Sequence, residues 1–157
     1  MDERVIAAVG GALVVAVGAW LNALLTTRRE RWNLRRELYS RLLEHLGEAA
    51  DALELLYQKV LSGPWQGDLE KAWDDMIDQL TERESRAIEE IRRAASVAAI
   101  MLSDEAIEAL DSLHKELNLS GPVDTWDEEV GIRLSAVKKA YKVLIAAAKK
   151  DLFPFYD

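Results

Sequence analysis

Residues 5–25 read VIAAVGGALVVAVGAWLNALL, twenty-one positions with no charge and one polar side chain, Asn22. As a helix rising about 1.5 Å per residue, this stretch spans roughly 30 Å, the thickness of a bilayer's hydrocarbon core. A helix of that length in a globular core would carry a polar face, and this one carries none. The rival reading is a cleaved signal peptide, which needs a basic n-region and a shorter apolar segment. Here Met1–Arg4 holds two acids and one base, and arginines follow the run. The stretch is therefore read as an uncleaved single-pass anchor within residues 1–26.

Orientation follows from the basic residues at its two ends. Arg4 precedes the run, while Arg28, Arg29, Arg31, Arg35, Arg36 and Arg41 follow it. Basic residues stay on the cytoplasmic side, so the expected location is the plasma (inner) membrane with a short N-terminus outside. Trp20, Arg28, Arg29, Arg31, Trp32, Arg35 and Arg36 form the expected membrane-interface set. Their indoles suit the head-group layer and their guanidinium groups suit anionic head groups. Within the span, Ala8, Gly11, Ala12, Ala16 and Gly18 recur at spacings that let two membrane helices approach closely. They read either as a packing face for a second copy of the chain or as plain features of an alanine- and glycine-rich helix.

The rest of the chain has another character. Residues 1–45 hold seven Lys/Arg against five Asp/Glu, and residues 46–157 hold thirteen against twenty-three. A body this acidic repels nucleic acid, which is excluded as a partner, and anionic lipid, so the arginines act locally. Helix breakers are rare, and two clusters stand out, SGPWQGD at 62–68 and LSGPVDT at 119–125. In each, glycine suits the end of a helix and proline cannot continue it. Thr125 and Glu128 have capping-box spacing, and Ser103-Asp104-Glu105 has the form of a further helix start.

These signals predict an all-α fold in which the transmembrane helix is followed by an antiparallel bundle of three long helices and one short one. The bundle occupies residues 27–151 and an aromatic tail occupies 152–157. The first helix is expected over 27–61, continuous with the anchor, with the stripe Leu42, Leu46, Ala49, Leu53, Leu56 and Val60. The second is expected over 69–102 with Leu69, Trp73, Met76, Leu80, Ala87, Ile91, Ala95, Ala98 and Leu102, a seam that Glu84 interrupts. The third, 104–117, offers Ile107, Leu110, Leu117 and either Leu113 or His114. The fourth, 126–150, offers Val130, Leu134, Val137, Tyr141, Leu144 and Ala148. Spacings of three and four fit narrow seams packed as in coiled coils. Phe153, Phe155 and Tyr156 in the tail suit either an interfacial contact with the membrane or a cap on the bundle's core.

On a helical projection, Arg31 and Arg35 continue the direction of Leu42, Ala49 and Leu53. Either the bundle is not yet closed at that level and the arginines face lipid phosphates, or a returning segment brings a carboxylate, such as Asp151 or Asp157, to meet them.

No catalytic constellation is evident. The chain has no cysteine and two histidines, His45 and His114, neither preceded by glutamate at the spacing of a bundle di-metal site. There is no glycine-rich phosphate loop, and the serines and threonines at the turns are explained by capping. The expected protein is not an enzyme and has no cofactor. It reads as a membrane-anchored interaction or assembly module for an unidentified protein partner. The alternative is a membrane-active effector, of pore-forming or lysis type, that oligomerises through the anchor.

Overall fold

A computed structural model describes the backbone of residues 3–63, 70–118 and 125–153, and the side chains of 26–63, 71–118 and 125–153. Four helices make up these residues: α1 (Glu3–Ser62), α2 (Glu70–Ala98), α3 (Asp104–Asn118) and α4 (Trp126–Leu152). The chain divides into two compact units, Met1–Leu34 and Arg35–Asp157. Among the described residues no helix is long and apolar enough to cross a membrane. The span expected at residues 5–25 has helical backbone as part of α1, but its side chains lie outside the described residues.

α1 is unbroken for 60 residues because no proline occurs in it and its stop signal comes only at Ser62-Gly63-Pro64. Gly63 takes φ +72°, a left-handed conformation that costs other residues a steric penalty, and its N–H bonds to the Val60 carbonyl. α2 ends at Ala98, four residues before the end of its expected span. The N–H groups of Ile100 and Met101 bond back to Val97 and Ala98 in tight i to i−3 geometry, and Leu102 bonds to Ala98. This turn buries Ala98 and Leu102 together. Ser103 then opens α3, its carbonyl accepting from Ala106 and Ile107. Thr125 opens α4 in extended conformation, as its sequence signal indicates, but the capping-box side-chain bond is not made.

In the second unit the helices run alternately up and down. Tyr39 meets Asp151 and Glu54 meets Lys138, so α1 and α4 are antiparallel. Glu105 meets Lys150 and Glu116 meets Lys139, so α3 and α4 are antiparallel too. α2 returns beside α3, where Ile88 and Leu117 line one end of a shared cleft and Ala95 and Leu110 the other. The core combines Tyr39, Leu42, Leu46, Ala49 and Leu53 of α1 with Ala87, Ile88 and Ile91 of α2, Leu110 and Leu113 of α3, and Val137 and Leu144 of α4. α1 and α4 also meet at Gly131, where a Cβ would lie 3.4 Å from the Tyr57 ring, in van der Waals contact.

The stripe of α1 is buried at Leu42, Leu46, Ala49, Leu53 and Leu56 and extends one step further, to Tyr39, whereas the expected Val60 is only half-buried and the unexpected Ala52 is buried. α4 departs most. Tyr141 is exposed, whereas Ala136, Ala140 and Ala147 are buried beside the expected Val130, Val137, Leu144 and Ala148. The reason is that α4 touches three helices through Glu54, Glu84 and Glu116 of α1, α2 and α3. A two-position seam serves one neighbour, and three neighbours require a wider stripe of small residues. In α3 the choice resolves to Leu113, which is buried, while His114 is exposed.

Glu84, which breaks the α2 seam, is 2 % exposed. It accepts a bond of 2.5 Å from Nη2 of Arg133 on α4, and Glu129 stands 3.8 Å from the same guanidinium. A buried carboxylate is tolerated only with such a partner. The partner is invisible in a reading of α2 alone, because it lies 49 positions downstream. Removing one member should cost far more than removing both. Arg133→Met is expected to lower unfolding free energy by about 3 kcal/mol, and the double variant Glu84→Leu/Arg133→Met to return within about 1 kcal/mol of wild type. Urea denaturation of the full-length protein in detergent, followed by circular dichroism, measures both.

Candidate functional site

One end of the second unit gathers groups from three segments. Tyr39 on α1 is the last core residue toward the N-terminus and is 1 % exposed. Its ring fills the seam position three residues before Leu42, and its hydroxyl donates to Asp151 Oδ2 of α4 at 2.5 Å. The Ser103 backbone N–H, at the α2–α3 junction, donates to the same oxygen at 3.2 Å. The Ser103 hydroxyl lies 3.5 Å from the Tyr39 hydroxyl. Burial, together with the bond to the Asp151 carboxylate, pushes the Tyr39 hydroxyl up to about 12. This node carries no nucleophile and exposes no acid or base to a pocket. Chemically it is a clasp: one carboxylate oxygen ties α1, the α2–α3 turn and α4 together.

The clasp bears on the second account of the arginine seam. A returning segment does bring Asp151 to this end, but the carboxylate engages Tyr39 and Ser103 and not an arginine. Arg35 is exposed and forms no ion pair among the described residues. Asp157 lies outside them.

The other expected interface residues fall as follows. In the first unit Arg28, Arg29, Arg31 and Trp32 lie on α1 and are exposed, and in the second unit Arg36 is exposed as well. Trp20 and the small residues Ala8, Gly11, Ala12, Ala16 and Gly18 have helical backbone, with side chains outside the described residues. Phe153 follows the end of α4 and is exposed; Phe155 and Tyr156 lie outside the described residues.

Two features absent from the sequence reading emerge at the clasp end. Tyr39 enters the core, and the turn after α2 presents apolar side chains outward, with Val97 52 % and Ile100 86 % exposed. The signal for the first is the 3-4-3 spacing that runs back from Leu46 through Leu42 to Tyr39. The second has no local signal, because Ala94–Leu102 reads as uninterrupted helix until the clasp draws Leu102 inward.

Elsewhere, a cleft of about 370 Å³ lies between α2 and α3, lined by Ile88, Ile91, Ala95, Leu110 and Leu113, with Arg92, Asp111 and His114 among its polar residues. His45 is half-buried, its Nδ1 3.2 Å from Glu48, and His114 meets Asn118. Among the described residues no group of three or more His, Asp or Glu is placed to hold a metal ion. No protein-family model, curated protein or solved structure matches this chain.

The Tyr39 hydroxyl fixes a pH dependence. Its proton is held more tightly in the folded chain than in the unfolded one, where tyrosine titrates near 10. The clasp's contribution is therefore complete below about pH 10 and is lost as pH rises from there through about 12. In thermal melts across that range, wild type should lose more stability than Tyr39→Phe. At neutral pH the variant should itself be less stable by about 1.5–3 kcal/mol, the worth of a hydrogen bond to a charged acceptor.

Proposed function

We propose that this protein is a single-pass, membrane-anchored, non-enzymatic interaction or assembly module, with its helical bundle on the cytoplasmic face of the plasma (inner) membrane. The observation that carries the reading is the uncharged run Val5–Leu25 followed by six arginines. It places the anchor, and the arginines orient it by retention on the cytoplasmic side. Two features of the bundle support the module reading. It closes its own core from α1 to α4, and the charged pairs that link its helices are structural. The non-enzymatic part of the proposal rests on the ionisable groups: Glu84 and the Tyr39 hydroxyl, both buried, are engaged in ties between helices. The partner classes that follow are an anionic lipid surface, a second copy of the chain through the small-residue face of the anchor, and a protein recruited to the membrane.

The anchor reading is tested in cell membranes. The full-length protein should stay in the membrane pellet after an alkaline wash. Val14→Arg/Val15→Arg should release it, because each arginine at the centre of a span costs about 2.5–3.5 kcal/mol of insertion free energy. Retention of the double-arginine variant, or release of the wild type, would overturn the reading. Growth arrest with membrane leakage on expression would favour the effector class instead.

A further inference from the structure

The clasp end of the bundle presents Val97 and Ile100 outward from the α2–α3 turn. We infer that this end docks on the surface of an anionic bilayer, with the two side chains entering the head-group layer. The inference rests on the membrane-anchor reading and adds a second, separate contact to it.

The turn cannot fold these side chains away. Ser103 N–H is held by Asp151, and Leu102 is drawn into the core. The intervening residues are therefore fixed in a tight turn, and Ile100 stands on its outer side. An isoleucine 86 % exposed at a turn is a poor choice for water, and beside a valine 52 % exposed it forms an apolar tip.

Charge singles out the same end. Around the clasp, residues 35–41, 97–107 and 149–152 hold five basic against four acidic side chains. Two ion pairs cancel within this set, Glu37 with Arg41 and Glu105 with Lys150, and Asp151 is held by Tyr39 and Ser103, which leaves Arg35, Arg36 and Lys149 against Asp104 and Asp151, a small positive excess. At the opposite end, residues 56–62, 71–84, 116–118 and 126–133 hold four basic against nine acidic. An anionic surface repels the second end and accepts the first. A second copy meeting this one clasp to clasp would bring two cationic ends together, so the bilayer is the better match.

The connection is short: thirteen residues lie between Leu25, the end of the apolar run, and Tyr39, so an anchored chain keeps the clasp end within reach of the head groups.

The chain has no cysteine, so one introduced thiol can carry a single fluorophore. Ala99→Cys labels the turn and Ser62→Cys labels the other end; both sites are exposed. The full-length protein is reconstituted into vesicles of phosphatidylcholine, alone or mixed with phosphatidylglycerol, containing lipids brominated near the head group. In the anionic vesicles the label at 99 should be quenched several-fold more than the label at 62. The quenching should weaken in about 1 M salt, where the screening length falls to roughly 3 Å. Val97→Asp/Ile100→Asp should abolish it, with flotation and helical circular dichroism unchanged. Flotation reports the anchor separately. A protein that floats with a label at 99 no more quenched than at 62 overturns the docking and leaves the anchor standing. A protein that does not float overturns both. Equal quenching in vesicles of phosphatidylcholine alone overturns the assignment to an anionic surface, and energy transfer between labelled copies without lipid quenching makes the patch a homotypic contact instead.

Discussion

A single carboxylate oxygen, Asp151 Oδ2, organises the closed end of this bundle. It accepts from the Tyr39 hydroxyl and from the Ser103 amide, which are 64 positions apart in the chain. A buried hydroxyl without a partner is costly, and so is an unsatisfied amide at a helix start. One acceptor satisfies both. The result fixes where α2 stops, where α3 begins and how far α1 is covered. Without it, Ala94–Leu102 has every local reason to continue as helix. With it, Leu102 turns into the core and Ile100 turns out of it.

Long-range polar ties of this kind mark the boundary of what the sequence discloses. The order of the described helices, the end of α1 at Ser62-Gly63 and most of the heptad-like stripe of α1 follow from breakers and periodicity, which are local properties. The stripe of α1 is legible from Leu42 to Leu56, where spacings of three and four follow one seam, but not at its ends, where Tyr39 is buried and Val60 is not, nor at Ala52, which widens it. α4 is legible only in part, because its environment depends on three other helices. There Ala140 is buried and Tyr141 exposed, against the rule that the larger apolar residue goes inward. Ala136 and Ala147 belong to the same widened stripe.

The charged residues divide in the same manner. Most ion pairs on α1 and α2 join residues three or four apart, such as Glu37 with Arg41 and Glu82 with Arg86, and can be read from spacing. Their contribution to stability is small because both partners are exposed. The pair that matters, Glu84 with Arg133, combines a residue that looks like an error in its own seam with one that looks like ordinary surface. The arginines that follow the apolar run are legible from their position in the chain. The closure of the core at Tyr39, in contrast, depended on a partner from the far end of the sequence.

The shortness of α3 has a consequence for how the fold comes apart. α3 spans 15 residues, against 29 for α2 and 27 for α4. The Glu84–Arg133 bridge lies past its last turn, six residues along α4 from Lys139, the partner of Glu116. The bundle therefore changes cross-section along its length, from four described helices at the clasp to three at the bridge. Apolar burial is concentrated in the first section, and the second relies on an ion pair whose guanidinium still touches solvent. Such a molecule melts from one end. Opening near residues 71–84 and 126–133 requires far less free energy than opening at the clasp, so local fluctuations and partial unfolding begin at the acidic end, while the end next to the arginine stretch keeps its shape.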